Sequence, residues 1–175
     1  NSDHPKSRGS AENPDVFFQT RESVNKYYEA VPGVVEAYMD KINAIAGTNY
    51  KLFNYYGAED AEDVIIAMGS ACGVVRETMD FWNARGKKLG LVEVHLFRPF
   101  SAEKLLEAVP ATAKRIAVLD RTKEPGSLGE PLYLDVKNVF ADSDRHPLIV
   151  GGRYGLGSKD FTPMDVMAVY ANLHA

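Results

Sequence analysis

Continuous apolar runs that alternate with helical periods constrain this chain more than any other feature. Val64-Ile65-Ile66-Ala67-Met68 is apolar throughout, opens β-branched and is closed by Gly69. A run without hydrophobic alternation reads as a strand covered on both faces, as parallel sheets require. Leu89 to Phe97, Arg115 to Leu119 and Leu148-Ile149-Val150 read as three further strands. Helical spacing predicts helices over Ser70 to Ala84, Ser101 to Val109, Glu130 to Phe140 and Thr162 to Leu173. The last start is well signalled: Thr162 caps, Pro163 suits the first helical position, and Asp165 lies near the positive end of the dipole. Strands and helices in this order imply right-handed crossovers and a mostly parallel sheet. The expected fold is α/β, a three-layer sandwich.

Upstream the pattern is different. From Thr20 to Ala46, Val24, Tyr27, Tyr28 and Val31 share one helical face, and Val34, Val35, Tyr38, Ile42 and Ile45 continue it. Pro32 is expected to split this segment into two helices, and Gly47 to stop the second. Residues 1–19 contain Pro5, Gly9 and Pro14 and read as an extended interdomain leader. The organisation expected is therefore a leader over 1–19, a helical extension over 20–50 and an α/β domain over 51–175. The start lacks Met and is polar; it reads as a linker within something longer or as a processed terminus, and the first is the expectation.

Composition removes several classes of function. A net charge of −4 argues against a nucleic-acid surface. No segment approaches the roughly 18 continuous apolar residues of a membrane span. The first residues hold no apolar stretch of the signal-peptide kind. A single cysteine excludes an internal disulfide and fits a reducing compartment, so the cytoplasm is the expected location.

The charged chemistry concentrates after the third strand. Asp120, Arg121, Lys123 and Glu124 follow Ile116-Ala117-Val118-Leu119 directly, and Pro125, Gly126, Gly129, Glu130 and Pro131 come next. The carboxyl edge of an open α/β sheet is where ligands and partner domains sit. The segment Gly151-Gly152-Arg153-Tyr154-Gly155-Leu156-Gly157-Ser158-Lys159-Asp160-Phe161 follows the fourth strand. It reads either as a holder of an anion or as an anchored loop whose Arg153 pairs with Asp120, Glu124 or Glu130. The turn Gly69-Ser70-Ala71-Cys72-Gly73 admits an anion site or tight strand–helix packing, and its spacing matches neither nucleotide fingerprint. Cys72 reads as a thiolate activated by the helix start or as a buried spacer; His95 is the histidine the sheet could bring near it. The four histidines are scattered, without metal-ligand spacing, and no Gly-x-Ser-x-Gly elbow exists.

Asp120-Arg121-Thr122-Lys123-Glu124-Pro125-Gly126 with Gly129-Glu130-Pro131-Leu132-Tyr133, preceded by Leu96-Phe97-Arg98-Pro99-Phe100-Ser101, carries a resemblance. With Asn13-Pro14-Asp15 through Arg21-Glu22, Tyr55-Tyr56-Gly57-Ala58 and Arg153-Tyr154-Gly155-Leu156-Gly157-Ser158-Lys159, the chain resembles pyruvate:ferredoxin (flavodoxin) oxidoreductase nearly end to end. The likeness falls on the second domain of that large enzyme, which is similar to the transketolase C-terminal domain. It implies a parent that converts pyruvate and CoA to acetyl-CoA and CO2 on thiamine diphosphate and Mg, passing electrons through iron–sulfur clusters to ferredoxin or flavodoxin. The Gly-Asp-Gly thiamine motif is absent here, and one cysteine cannot build a four-thiolate cluster. The resemblance therefore implies that these cofactors lie in other domains, that this stretch holds no catalytic, cofactor or metal residue, and that its partners are neighbouring domains. Asp120, Arg121, Lys123, Glu124, Arg153 and Lys159 are the candidate interdomain or anion contacts. The alternative is an autonomous module binding CoA or a nucleotide phosphate at Gly69–Gly73 with Arg121, Lys123, Arg153 or Lys159.

Overall fold

The strands are β1 (Phe53–Gly57), β2 (Asp63–Met68), β3 (Leu89–Val94), β4 (Arg115–Asp120) and β5 (Leu148–Arg153). In the computed structural model, which describes residues 1–6, 9 and 11–175, they form one sheet in the order β1-β3-β2-β4-β5. β2, β3, β4 and β5 run parallel, and β1 pairs antiparallel with β3. Val64, Ile65, Ile66 and Ala67 of the central strand are fully buried. Successive side chains leave opposite faces of a strand, so Val64 and Ile66 join Val92, Ile116 and Val118 in one core layer, while Ile65 and Ala67 join Leu91, Ala117 and Leu119 in the other.

The first face is covered by α4 (Ala102–Ala108) and α5 (Pro131–Ala141) through Leu105, Leu132, Val136 and Phe140. The second is covered by α3 (Ala71–Asn83) and α6 (Pro163–Asn172) through Val75, Met79, Val166 and Tyr170. Each such side chain contributes about 1.5–3 kcal/mol on burial, so the two layers are the main source of stability. The three-layer α/β expectation holds. The expected caps also form: the Ser101 hydroxyl accepts from Lys104 N, and Thr162 and Asp165 cap α6 reciprocally.

Four expectations are corrected. A strand, β1, stands where only a connector was read before Val64. Its sequence, Phe-Asn-Tyr-Tyr-Gly, lacks a continuous apolar run: Phe53 and Tyr55 pack on one core layer and Tyr56 on the other, while the buried Asn54 accepts from Lys51 N and donates to the Asn49 carbonyl. Within the leader, Pro14–Glu22 forms α1, with Pro14 at the first helical position, where its fixed φ suits a helix; residues 7, 8 and 10 lie outside the described residues.

Pro32 does not divide the next segment: α2 runs unbroken from Asn25 to Ala46, and the break falls at Ser23–Val24. A proline inside a helix costs about 3 kcal/mol; α2 nevertheless continues through it, touching the core through the partly buried Val35 and Met39. Finally, Gly151, Gly152 and Arg153 belong to β5 and not to the following loop, pairing with Val118, Leu119 and Asp120. Gly151 leaves room for the Tyr133 ring of α5, which a Cβ there would approach to 3.0 Å.

Candidate functional site

In the parallel part of the sheet, β3 and β4 flank β2 on opposite sides, so the chain reverses direction across the sheet at β2. The carboxyl ends of β2 and β4 are the switch point where open α/β sheets form their crevice. A cavity of about 200 Å³ lies there, lined by Ser70 and Ala71 at the start of α3, by Arg121, and by Tyr154, Lys159 and Phe161. It is smaller than the roughly 300–1,000 Å³ of pockets that enclose a cofactor-sized ligand.

Asp120 ends β4 and is buried. Its carboxylate accepts from Leu132 N at 3.0 Å and from Tyr133 N at 3.1 Å, so a strand residue caps α5. The nominal cap, Glu130, makes no capping bond with its own helix. Burial pushes the Asp120 carboxyl above its ordinary value; the two N–H groups oppose that, and the charges of Glu130 and Asp135 reinforce it.

Glu130 is also buried and accepts from Arg153 Nε and, at 2.7 Å, from Glu124 N. Burial opposes its ionised form, but the Arg153 and Glu124 hydrogen bonds and the Arg153 and Lys123 charges outweigh it and hold the carboxyl below its ordinary value. Of the three carboxylates offered as partners for Arg153, the structure selects Glu130. The mainchain closes the same corner, Tyr154 N donating to the Asp120 carbonyl at 3.2 Å.

The six candidate residues thus divide. Asp120, Glu124 (through its backbone) and Arg153 belong with Glu130 to an internal brace. Arg121 turns the other way and donates from Nε to the Gly155 carbonyl at 3.2 Å, reaching the cavity that Lys159 also lines. Lys123 is exposed and acts on Glu130 through its charge. The Arg121–Lys159 pair beside Ser70 is the part of the proposed anion constellation that the geometry brings together; Arg153 is occupied by Glu130.

Sequence reasoning did not find Tyr133 and Phe161 as organisers of this edge. Tyr133 lies against Gly129 and Gly151, and Phe161 packs on Tyr154 with ring centroids 4.9 Å apart. The signal available was an aromatic ring facing glycines in neighbouring segments.

Cys72 is buried, and burial together with the Glu93 carboxylate pushes its thiol up to about 12. The helix start does not make it a thiolate. Glu93 is ion-paired with Arg76 and stands 3.9 Å from His95 Nε2. Among the described residues no group of three or more His, Cys, Asp or Glu is placed to hold a metal ion, and no helix is long and apolar enough to cross a membrane. A lone buried thiol does not fit an iron–sulfur cluster, which needs four thiolates.

Residues 61–166 match a family model described as pyruvate:ferredoxin oxidoreductase core domain II. The chain is 57% identical over 173 residues to the pyruvate-flavodoxin oxidoreductase of Enterobacter agglomerans, a match covering 99% of this chain and 15% of that protein. Among solved structures, a 2-oxoglutarate:ferredoxin oxidoreductase from Magnetococcus marinus, with 2-oxoglutarate, coenzyme A and succinyl-CoA bound, matches at a TM-score of 0.50 and 26% identity. That match covers 77% of this chain and 22% of the other. A split-gene transketolase, described as an inactive β4 tetramer, matches at a TM-score of 0.54 and 16% identity, over 72% of this chain and 43% of its own, and shares the fold.

Proposed function

The chain belongs to the pyruvate:ferredoxin oxidoreductase core domain II family, and from that premise we propose that it works as one domain of a much longer 2-oxoacid oxidoreductase. It spans 15% of the length of the curated relatives it matches. In this reading the parent converts pyruvate and CoA to acetyl-CoA and CO2 and passes the electrons to ferredoxin or flavodoxin. Thiamine diphosphate, Mg and iron–sulfur clusters belong to other domains, and the parent works in the cytoplasm.

The observation that carries the reading is the chemistry of the carboxyl edge. The two buried carboxylates there, Asp120 and Glu130, are used up by backbone N–H groups and Arg153. A base engaged in that way is poorly placed to take a substrate proton, whereas a braced edge presents its loops in fixed positions. Leu128, almost fully exposed at the tip of the 121–130 loop, and the outward Lys123, Arg121 and Lys159 are what that edge offers a neighbour. The role proposed for the 120–131 and 151–160 loops is therefore interdomain docking within the parent.

Anaerobic assay of the full-length polypeptide with pyruvate, CoA, thiamine diphosphate and a low-potential acceptor tests this. The expected result is CoA-dependent acceptor reduction by the full-length protein and none by residues 1–175. Turnover by the short chain, or no turnover by the long one, overturns the proposal.

A further inference from the structure

We propose that the outer face of α2, with α1, is a docking surface for another domain of the same longer polypeptide. The inference rests on the reading above that the chain sits within such a polypeptide. It is a different surface from the carboxyl-edge loops, and it falls before residue 61, where the family-model match begins.

The starting observation is that α2 has 22 residues and α1 has nine, and neither contains a buried residue. Isolated helices are marginal in water, and in proteins most helical stability comes from packing an apolar face. α2 has two such faces. Val35 and Met39 touch the core, and the other partly buried positions (Val24, Val31, Pro32, Glu36 and Asn43) fall on the same side at 100° per residue. Ile42 lies at the margin of that side, whereas Tyr27, Val34, Tyr38 and Ile45 fall within about 40° of one another on a second stripe rotated roughly 100° off it. All four are at least half exposed, Ile45 almost completely.

α1 adds Phe17 and Phe18, both more than half exposed. At about 200 Å² per aromatic side chain, these two and the two tyrosines leave roughly 500 Å² of ring surface open. With the two isoleucines the open apolar area, divided between the two helices, is of the order of the roughly 800 Å² that a standard interface buries per partner. Soluble monomers rarely expose so large an apolar area without a use for it.

The occupant follows from length. A chain that spans 15% of its relatives leaves most of such a polypeptide available to cover this face. The partner surface must be apolar at its centre, with acceptors at its margin for the hydroxyls of Tyr27 and Tyr38.

Two measurements on the full-length protein decide the matter. Hydroxyl-radical footprinting compares Phe17, Phe18, Tyr38 and Ile42 in the native and urea-unfolded protein; at least tenfold slower oxidation in the native protein is expected. Tyr38→p-benzoylphenylalanine, irradiated in a mixture of isotopically light and heavy protein, identifies what lies on the stripe. Links from Tyr38 to another domain of its own chain are expected. Oxidation near the unfolded rate, or links joining light to heavy copies, overturns the proposal. Pyruvate turnover by the same preparation is read separately, so failure of the functional reading is distinguishable from failure of this one.

Discussion

Asp120→Ala provides the sharpest test of how the carboxyl edge is held. The substitution removes the acceptor of Leu132 N and Tyr133 N while leaving both donors at the start of α5. Leu132 is fully buried, so water has poor access to its N–H; an unsatisfied buried donor costs about 1–3 kcal/mol. Tyr133 is partly exposed, and its N–H regains solvent at little cost. These two bonds are the cap of α5, and the cost agrees with the roughly 1 kcal/mol, at most about 2, of a lost helix cap.

Against these stands a relief, because burial disfavours the ionised Asp120 carboxylate that the substitution removes. The net expectation is a loss of about 2 kcal/mol, or roughly 4–8 °C in Tm for a chain of this size. Asp120→Asn keeps one good acceptor without the charge and should lose at most about 1 kcal/mol. Urea unfolding followed by circular dichroism reads both. An alanine variant within about 0.5 kcal/mol of wild type, or an asparagine variant as weak as the alanine one, would falsify the capping argument.

The pH dependence of the same edge has two opposing parts. Because the folded Asp120 carboxyl titrates above its ordinary value, its ionised form costs stability at neutral pH, and that cost fades as pH falls through the raised folded value. Glu130 runs the other way: its contribution is present above its ordinary 4.5 and is lost as pH falls through the depressed folded value. Glu130→Gln should therefore flatten the acid limb of a stability–pH curve, whereas Asp120→Asn should steepen it. Identical curves for the two variants would contradict this assignment.

Gly57 and Gly69 both adopt positive φ but differ in surroundings. A Cβ on Gly57 would meet the Leu89 carbonyl oxygen at 2.3 Å, whereas one on Gly69 meets nothing within 4 Å. Gly57→Ala should cost more than about 3 kcal/mol and Gly69→Ala about 1–2 kcal/mol in urea unfolding; equal costs would show that the β1–β3 contact does not matter. Cys72, with its thiol near 12 and its side chain buried, should react with iodoacetamide at pH 8 at least about a thousandfold more slowly than a free thiol. Rapid alkylation of the native chain would mean that α3 opens locally.

How much of this was legible in the sequence depends on how local the cause was. The runs Val64–Met68 and Arg115–Leu119 identify themselves, since strands buried on both faces must be apolar throughout. Thr162 and Asp165 likewise cap α6 from within four residues of sequence. β1 is hidden because its two tyrosines and Asn54 break the apolar run, although Asn54 is buried and held by Lys51 N and the Asn49 carbonyl. Pro32 misleads because a proline lowers helix propensity without forbidding a helix: α2 runs through it from Asn25 to Ala46. The site follows the same rule. An Arg153 partner was expected among three carboxylates, and the choice of Glu130 required the β4–β5 register. Asp120 as the cap of α5 spans 12 residues, and the residue that occupies the cap position, Glu130, points elsewhere.

The short connector between α2 and β1 has a mechanical meaning. Asn43, from the last turn of α2, receives Tyr50 N at 2.7 Å and donates to the Tyr50 carbonyl, while Asn54 of β1 receives Lys51 N and donates to the Asn49 carbonyl. Two asparagines, one from each side, stitch the joint, so its backbone amides and carbonyls are met by side chains where no helix or strand serves them. The joint leads directly into β1, which is bonded along its length to β3. The direction in which α2 leaves the sheet is therefore set by side chains outside the hydrophobic core, two amides holding the backbone of residues 49–51.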